Sequence, residues 1–315
     1  MRAVVMREFG PPQVLEPAEV AEPEPGPDEV VIDVELASVT FVETQVRAGQ
    51  PPHPSMLPAL PAVLGNGVGG TVAGRRVVAS LDGTGGYAER AVSSAGRLVD
   101  VPDSLAMRDA VALLADGRTA LALAGRAGLR AGDTVLVEAA GGGVGTLLVQ
   151  LARQAGAQVV ALAGQPGKLA IARDLGAGVT VDYRQDGWAE QVRAAVGQVD
   201  VVFDGVGGEI GLAAFGLLAG GGRFCPFGMA SGRFAPVSAE LAQAHQVSVR
   251  RGAPLSAEEM LELVRTMLAE AAAGRIRPVV GQEFGLGEAA AAHAAIEARQ
   301  TVGKTLLAAR LGAAL

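Results

Sequence analysis

The small residues of the stretch VLVEAAGGGVGTLLVQL have the spacing that binds a dinucleotide. Ala140, Gly142 and Gly145 form the pattern A-x-G-x-x-G between an apolar β-branched segment and an amphipathic helical segment. A side chain at position 142 would block the close approach of a pyrophosphate, and Gly145 lets the helix pack against the strand. The amides of Gly143 and Val144 at the helix N-terminus would then face the anion. The alternative interpretation is a glycine turn with a purely structural role.

The next apolar segment, VVALAGQPGK, predicts which dinucleotide is bound. Sites for NAD usually place Asp or Glu near the end of this second strand, where the acid binds the ribose 2′-hydroxyl. The segment has no acid, has the small Gly164 where a 2′-phosphate fits, and supplies Lys168 as a cation. These residues favour NADPH over NADH. A solvated lysine in the first turn of a helix is the alternative for Lys168.

Length and composition restrict the class of protein. A chain of 315 residues, of which 50% are hydrophobic, can bury a large core in one large or two medium domains. A net charge of -7 and the lack of a basic stripe argue against a nucleic-acid partner. The single cysteine, Cys225, excludes an intramolecular disulfide and a four-cysteine zinc lobe, and it favours a reducing compartment. With no signal peptide and no convincing membrane helix in the sequence, we expect a soluble, cytoplasmic protein.

The pattern of predicted elements changes near residue 105. Before it, Val-rich segments such as EVVIDVELASV and RRVVAS lie between Pro and Gly clusters, which predicts short strands and turns. After it, apolar strands alternate with helical patterns as in βαβ units, which predicts a parallel sheet. The predicted strands are 134 to 138, 158 to 163, 178 to 182, 199 to 203 and 222 to 227. Near the C-terminal end, SAEEMLELVRTMLAEAAAG and GEAAAAHAAIEAR predict helices, the first with a capping box of Ser256 and Glu259.

Several separated motifs occur in a fixed order along the chain: MRAVVMREFGPPQVLE, GGYAERAV, AGLRAGDTVLVEAAGGGVGTLLVQLARQAGAQVV, VDVVFDGVGG, GRFCPFGMASG and TVGKTLL. In order and spacing they resemble the zinc-free quinone oxidoreductases of the medium-chain dehydrogenase/reductase superfamily. The resemblance implies an α/β protein with two domains. Residues 1–117 and 252–315 would form a GroES-like, partly open β-barrel catalytic domain. Residues 118–251 would form a doubly wound Rossmann domain that binds NADPH.

The resemblance also implies the cofactor contacts. Thr119 in GRTAL would lie beside the nicotinamide, and Lys168 and Tyr183 would contact the 2′-phosphate. The segments DGVGG and PFGMASG would approach the nicotinamide through Val206, Gly207, Phe227, Gly228 and Ser231. For Thr119, a helix-interior threonine bonded to a backbone carbonyl is the alternative.

Two further basic residues match family positions. Arg251 would lie near the cofactor, unless Arg250 takes that position, and Lys304 in VGK would reach back towards the cofactor. An ordinary surface role is the alternative for these basic residues. The segment QVSVRRG resembles the edge strand through which relatives pair their sheets, so a homodimer is expected.

The segment SVTFVETQVRAGQPPHP departs from the family pattern. Quinone oxidoreductases commonly have Asn, Asp and two Tyr where this chain has Thr40, Glu43, Gln45 and Pro51. The loss of two aromatic walls leaves Thr40, Glu43 and Gln45 as the residues expected to border the substrate, with a preference for a more polar substrate. Drift in a permissive loop is the alternative. A second departure shortens the connection in GGTVAGRRVVAS, where a tight turn at Ala73–Gly74 would suffice.

The sequence predicts no catalytic metal. Zinc-dependent relatives use Cys or His together with a Gly-His-Glu segment, and the corresponding stretch here, AVLGNGVGG, has neither His nor Glu. For His293 we expect helix packing. The predicted function is therefore a zinc-independent, NADPH-dependent transfer of hydride to a quinone or an α,β-unsaturated carbonyl or enoyl substrate. Two alternatives stay open: a redox-neutral biosynthetic enzyme such as a cyclase or isomerase, and a non-catalytic NADPH-binding protein.

Overall fold

The computed structural model of the chain describes residues 1–252 and 254–309. Ala253 and residues 310–315, which the predicted catalytic domain includes, lie outside the described residues. The chain divides into two compact units, one of Met1–Gly117 with Glu258–Leu315 and the other of Arg118–Ala257. The second boundary thus follows residue 257, where the sequence-based domain boundary follows residue 251. Residues 250–252 and 254–256, between the last strand of the second unit and the next helix, form no helix or strand. The sequence pattern therefore offers no element end at which to place this boundary.

The first 100 residues form mostly short strands separated by turns, as the Pro and Gly clusters predict, and α2 follows them. The strands are β1 (Arg2–Met6), β2 (Leu15–Glu19), β3 (Glu29–Val39), β4 (Ala62–Val63), β5 (Gly67–Val72), β6 (Arg75–Ser80), β7 (Arg90–Ser94) and β8 (Val99–Asp100). The helices are α1 (Phe41–Arg47) and α2 (Met107–Ala127), with 3-10 turns at Pro12–Val14, Pro54–Met56 and Ala95–Arg97. Ala73 and Gly74 join β5 to β6 with φ of 48° and 81°. This two-residue turn with positive φ at both positions confirms the predicted hairpin.

The middle of the chain alternates strands and helices. The strands are β9 (Thr134–Val137), β10 (Gln158–Ala163), β11 (Val179–Asp182), β12 (Val199–Asp204), β13 (Leu218–Pro226) and β14 (Ser248–Val249). The helices are α3 (Gly143–Gln154), α4 (Pro166–Asp174), α5 (Trp188–Val196), α6 (Gly208–Phe215) and α7 (Ala239–Ala244). The chain then forms α8 (Ala257–Ala272), β15 (Val280–Gly285), a 3-10 turn at Leu286–Glu288, α9 (Ala289–Glu297) and β16 (Lys304–Ala308). The two helices predicted near the C-terminal end are confirmed.

The second unit is built on a parallel sheet of six strands in the order β11-β10-β9-β12-β13-β14. Its central strand β9 is apolar on both faces, because Val135, Leu136 and Val137 are all fully buried. The strand order reverses between β9 and β12, and ligands of such sheets bind outside the carboxyl ends of the strands at this point. The predicted doubly wound parallel sheet is confirmed.

The first unit contains two sheets. Six strands of the larger sheet follow the order β15-β16-β3-β5-β6-β8, and β7 pairs with β3 beside this path. The smaller sheet has the order β2-β1-β4. The long strand β3 pairs with β7 through its first half and with β16 through its second, so it bends the sheet around a core that includes Ile32, Val34 and Val68. The sheet stays open between β15 and β8 in the described part of the chain, as expected of a partly open barrel.

Two further facts bear on the function classes. None of the helices in the described ranges combines the length and the apolar character needed to cross a bilayer. Cys225 lies on β13 with a fully buried side chain. Burial raises the pKa of its thiol to about 12, although the nearby Arg223 and Arg250 act in the opposite direction.

Candidate functional site

The turn between β9 and α3 forms the first part of the candidate site. Gly142 is the N-cap residue of α3, with an extended backbone (φ −88°, ψ 172°). A Cβ at position 145 would lie 2.9 Å from both the Ala139 carbonyl carbon and Ala140 Cα, and closer still to the carbonyl oxygen. Only glycine therefore allows the helix to begin this close to the turn. The amides of Gly143 and its neighbours in the first turn have no partner within the helix, and they present the positive end of the helix dipole to an anion.

The ends of β10 and β11 form the second part. A Cβ at Gly164 would lie 3.2 Å from the ring of Tyr183, at Cε2. Lys168, in the first turns of α4, lies over Gly141. A Cβ built on Gly141 would come within 2.7 Å of Lys168 Cγ. The structure thus brings Gly164, Lys168 and Tyr183 to one edge of the parallel sheet, beside the glycine-rich turn. Their predicted contact with a 2′-phosphate is compatible with this placement.

Arg184 is a candidate that the sequence analysis missed. Its Cδ and Nε lie 3.1 and 3.3 Å from the position of a Cβ on Gly164. The guanidinium makes two hydrogen bonds to Asp182, from Nη2 to Oδ2 at 2.7 Å and from Nε to Oδ1 at 3.1 Å. The hydrogen bond from Arg184 is the main cause that lowers the pKa of Asp182. The signal in the sequence was the basic residue directly after Tyr183, but its position over Gly164 depends on the pairing of β10 with β11.

Two loops that follow β12 and β13 form the third part. The amide of Phe227 donates to the carbonyl of Asp204 at 2.9 Å, and the amide of Ser231 donates to the carbonyl of Val206 at 2.8 Å. A Cβ on Gly228 would lie 3.1 Å from Gly205 Cα, so the two backbones touch here. The structure therefore joins Val206, Phe227, Gly228 and Ser231, which come from two separate sequence motifs. Their contact with a nicotinamide remains a prediction.

A buried pair of acids, also missed from sequence, lies under the first of these loops. Glu138 follows β9 and Asp204 ends β12, and neither side chain is exposed. The amide of Val206 donates to Glu138 Oε2 at 3.0 Å and to Asp204 Oδ1 at 3.2 Å, and the amide of Gly207 donates to Asp204 Oδ1 at 2.6 Å. Burial, and then the charge of Asp204, raises the pKa of Glu138 well above its ordinary value; burial also raises that of Asp204. The sequence signal is an acid that ends each of two apolar runs, VLVE and VVFD.

The predicted substrate residues lie at the start of α1. Thr40 is the N-cap of α1 and forms a capping box with Glu43. The Glu43 amide donates to Thr40 Oγ1 at 3.3 Å, while Glu43 Oε2 accepts from the Thr40 amide at 2.6 Å and Oε1 accepts from the Asn66 amide at 2.8 Å. Burial raises the pKa of Glu43, and these hydrogen bonds oppose the rise. Thr40 and Glu43 thus have a local structural role, and Gln45 is half-buried on the same helix. Their role towards substrate stays a prediction.

The other predicted cofactor residues lie on several elements. Lys304 on β16 is buried and its Nζ bonds to Asp116 Oδ1 at 3.1 Å, so its ammonium group already has an anionic partner within the first unit. Thr119 is half-buried on α2. Arg251 is exposed after β14, and the amide of its neighbour Arg250 donates to the carbonyl of Phe224 at 2.7 Å.

His293 packs inside the first unit, as predicted. It is fully buried on α9, and its Nε2 lies 3.0 Å from the hydroxyl of Tyr87. Burial, with a smaller effect from Arg47, lowers the pKa of His293 to about 3, so the ring is neutral at physiological pH. In the stretch AVLGNGVGG, the side-chain oxygen of Asn66 accepts from the Gly83 amide at 2.9 Å. Within residues 1–252 and 254–309, no group of three His, Cys, Asp or Glu side chains is placed to hold a metal ion.

Comparisons with known proteins complete the description of the site. Residues 143–269 match the family model described as zinc-binding dehydrogenase. The chain is 32% identical to the quinone oxidoreductase of Pseudomonas aeruginosa, over 95% of this chain and 97% of the relative. It is 31% identical to the 2-haloacrylate reductase of a Burkholderia species, over 98% of each chain.

Solved structures are similar over the full length as well. A mycobacterial protein complexed with NADPH has a TM-score of 0.89 at 33% identity, over 98% of this chain and 99% of that chain. The Escherichia coli quinone oxidoreductase complexed with NADPH has a TM-score of 0.89 at 26% identity, over 98% of this chain and 100% of that chain.

Proposed function

The chain belongs to the quinone oxidoreductase family of the medium-chain dehydrogenase/reductase superfamily, and from this membership we propose a zinc-independent reductase that uses NADPH to reduce a quinone or an α,β-unsaturated carbonyl compound. One observation carries the proposal. Next to the A-x-G-x-x-G turn, Tyr183 and Arg184 lie against the small Gly164, and Lys168 lies over Gly141 of the turn itself. Cations and a phenol around a glycine suit a phosphate on the ribose of a dinucleotide.

The residues present fit NADPH along its length. The first-turn amides of α3 would bind the pyrophosphate, and the cations at Gly164 would neutralise the 2′-phosphate. The loops at Val206 and Phe227 would form the surface for the nicotinamide end. When bound, the cofactor supplies the hydride, so the protein's task is to align the acceptor and to exclude competing reactions. Two similar proteins have structures described as complexes with NADPH, which supports this cofactor.

Zinc independence is part of the proposal because the donor set near α1 is unsuited to zinc. Zinc in proteins takes Cys, His and carboxylate ligands. Both carboxylate oxygens of Glu43 already accept hydrogen bonds, from Thr40 and Asn66. The family model whose description mentions zinc matches residues 143–269, which include none of these three residues.

A reductase without a metal Lewis acid is expected to act on a conjugated hydride acceptor. An isolated ketone needs its carbonyl polarised before hydride can add, whereas a quinone or enone already has an electron-poor conjugated carbon. The names of two relatives, quinone oxidoreductase and 2-haloacrylate reductase, both designate reductions of conjugated compounds. We therefore expect substrates in which the double bond is conjugated to a carbonyl or carboxyl group.

The test is steady-state oxidation of NADPH with a benzoquinone, a cyclic enone, 2-chloroacrylate and, as control, the saturated ketone that matches the enone. We expect turnover with at least one conjugated acceptor, none with the saturated ketone, and no change after treatment with a chelator. Turnover of the saturated ketone that the chelator removes would contradict the proposal. NADPH binding without turnover of any acceptor would favour the redox-neutral or the non-catalytic alternative.

We also infer a homodimer in the cytoplasm. The strand β14 is an edge of the parallel sheet and pairs with β13 on one side, so a second copy can extend the sheet. The single, buried cysteine suits a reducing compartment. Light scattering during size-exclusion chromatography checks the dimer, for which a mass near twice 31.7 kDa is expected.

A further inference from the structure

Glu138 and Asp204 lie side by side where the strand order of the parallel sheet reverses. They stand at the carboxyl ends of the neighbouring strands β9 and β12, and both are fully buried. One backbone amide, that of Val206, donates to a carboxyl oxygen of each. The remaining oxygens, Glu138 Oε1 and Asp204 Oδ2, have no hydrogen-bond donor among the residues that the structure describes. Buried polar atoms without partners are rare, so this arrangement requires an explanation.

Among the described residues, no cation is a cause of the pKa shift of either Glu138 or Asp204, so none compensates two negative charges there. The other titratable groups on the strands and helix that pack here are Asp200, Glu209, Arg223 and Cys225. Asp200 accepts from the Thr134 amide at the opposite end of β12, and Arg223 pairs with Asp133. Glu209 at the start of α6 is exposed and pairs with Arg233, while the thiol of Cys225 stays protonated. The charge of Asp204 helps to raise the pKa of Glu138, and a hydrogen bond with Glu138 opposes the rise in the pKa of Asp204 that burial causes.

Two buried carboxyl groups whose side chains interact through a hydrogen bond cannot both be ionised without a large electrostatic cost. A single proton between them removes the cost, because a protonated carboxyl donates to its ionised neighbour. Where this proton lies on Glu138 Oε1 or Asp204 Oδ2, an oxygen that otherwise lacks a partner gains one. The hydrogen bonds from the Val206 and Gly207 amides then act on a pair with one negative charge.

The pair helps to hold a turn that also bonds to the loop after β13. There the amide of Ser231 donates to the carbonyl of Val206, and the amide of Gly208 donates to the carbonyl of Arg233. Gly207 and Gly208 have positive φ of 71° and 55°, and Gly207 is the N-cap of α6 without a side chain that can cap. Asp204 Oδ1 takes over this capping role through the Gly207 amide. Ionisation of both acids would place two like charges under the turn and would weaken the arrangement of Val206 and Gly207.

We propose that Glu138 and Asp204 share one proton, and that this proton-linked pair is a positioning device that fixes the turn Val206–Gly207 for the nicotinamide end of the cofactor. The functional half of this inference rests on the proposed NADPH-dependent function. The pair touches the turn and not the reacting atoms, so both acids are positioning residues. Loss of the shared proton at high pH releases the turn, and cofactor affinity falls.

The sign of the pH effect follows from the raised pKa values. A carboxyl group whose pKa is higher in the folded protein than its ordinary value favours the folded, cofactor-binding form at low pH and loses this effect as pH rises through the raised pKa. In Glu138→Gln, the amide donates to Asp204 at every pH and imitates the protonated acid. This variant should therefore bind NADPH at high pH as well as the parent does at neutral pH.

The first experiment measures the dissociation constant of NADPH by fluorescence from pH 7 to 9.5, where the 2′-phosphate is fully ionised, with NADH as a second ligand. We expect the parent's constant to rise by about tenfold or more over this range, a typical coupling between two linked equilibria, and that of Glu138→Gln to stay within about twofold. Glu209→Gln, which removes an exposed acid of α6, is the matched control and should follow the parent. Identical pH profiles of the parent and Glu138→Gln would overturn the positioning role.

The second experiment needs no cofactor. Infrared difference spectroscopy at neutral pH should detect the carbonyl stretch of one protonated, buried carboxyl group in the parent, and Glu138→Gln and Asp204→Asn should each lack it. Absence of the band in the parent would overturn the shared proton even if NADPH binds. If the band is present but NADPH does not bind at any pH, the proposed function fails while the shared proton stands.

Discussion

Lys168 and Arg184 supply the positive charge near Gly164, and they differ in how they are held. Lys168 lies over the glycine-rich turn, whereas Arg184 is fixed by two hydrogen bonds to Asp182. A planar guanidinium that is already oriented loses little entropy when it binds a phosphate, so the ion pair with Asp182 prepares the arginine for this contact. The carboxylate of Asp182 also neutralises part of the charge of Arg184, which limits how much Arg184 can strengthen phosphate binding.

We predict that Lys168→Ala and Arg184→Ala each weaken NADPH binding by about tenfold to a hundredfold and leave NADH binding nearly unchanged. One charge-assisted hydrogen bond contributes roughly 1.5–3 kcal/mol, which corresponds to this range. Isothermal titration with both cofactors measures the effect, and Arg173→Ala, an arginine in the last turn of α4 that donates to Thr180, is the control. Equal affinity of the parent for NADPH and NADH would contradict the cofactor assignment itself.

The residues at the start of α1 differ in whether they stabilise the helix or can be used to test substrate choice. Thr40 and Glu43 cap the helix, so Thr40→Ala should cost about 1 kcal/mol of unfolding free energy in urea titrations. Because such variants are destabilised, their activity says little about catalysis. Gln45 has no part in the capping box, which makes it the better probe of the substrate.

We expect Gln45→Ala to lower kcat/KM by about tenfold, as the loss of a positioned hydrogen bond of about 1.5 kcal/mol would do, with NADPH affinity unchanged. Gln45→Tyr should shift the preference towards flat quinones, because an aromatic ring can stack on a planar acceptor. Turnover on a quinone series and an enone series measures both. Variants that match the parent on every substrate would show that this segment does not contact the acceptor.

At the level of elements, the β9–α3 turn offers a matched pair of glycines. A Cβ at Gly142 meets only the Ala139 carbonyl oxygen, at 3.3 Å, whereas a Cβ at Gly145 collides with the backbone of the turn. Gly142→Val should therefore weaken NADPH binding by about a hundredfold or more and change the melting temperature little, since the side chain occupies pyrophosphate space.

Gly145→Val is the contrasting variant and should lose both binding and stability. Calorimetric binding and thermal melting, measured on both proteins, distinguish the two effects. Undiminished NADPH binding by Gly142→Val would mean that the glycines have only a structural role.

Local patterns predicted most elements, and contacts between elements explain what was missed. The βαβ alternation, the Ala73–Gly74 hairpin and the start of α3, predicted near Val144 and found at Gly143, each depend on neighbouring residues, so the sequence alone predicts them. The buried pair of Glu138 and Asp204 depends on the pairing of β9 with β12, strands more than 60 residues apart by the sequence numbers. The capping box of Thr40 and Glu43 follows the T-x-x-E pattern and can be recognised from sequence, whereas comparison with the family pattern indicates only a pocket role for these residues.

At the scale of the whole molecule, buried titratable groups set the pH range of stability. The pKa of His293 is about 3 in the folded protein, against an ordinary value of 6.5. The contribution of His293 to the free energy of unfolding is complete above pH 6.5 and is lost progressively as pH falls towards 3. In this range the unfolded chain binds a proton at His293 and the folded chain does not. We expect the free energy of unfolding to fall by about 1 kcal/mol or more between pH 6.5 and 5.5 from this residue, as measured by urea titration.

His293→Gln is the matched variant, because a glutamine keeps a polar partner near the Tyr87 hydroxyl and cannot be protonated in this range. It should be less stable than the parent at pH 7.5 but less sensitive to acid. An acid sensitivity equal to the parent's would place the cause in another group, such as the acids of the surface ion pairs.

The burial of Cys225 affects how readily the proposed substrates can inactivate the protein by covalent modification. Quinones and enones are electrophiles that add covalently to thiolates, and an enzyme that handles them is exposed to arylation. The only cysteine of the chain is fully buried on β13 and has a pKa of about 12, so almost none of it is the reactive thiolate at neutral pH. The folded chain therefore offers no thiol to its proposed substrates, and it should resist suicide inactivation in quinone concentrations that disable enzymes with exposed cysteines.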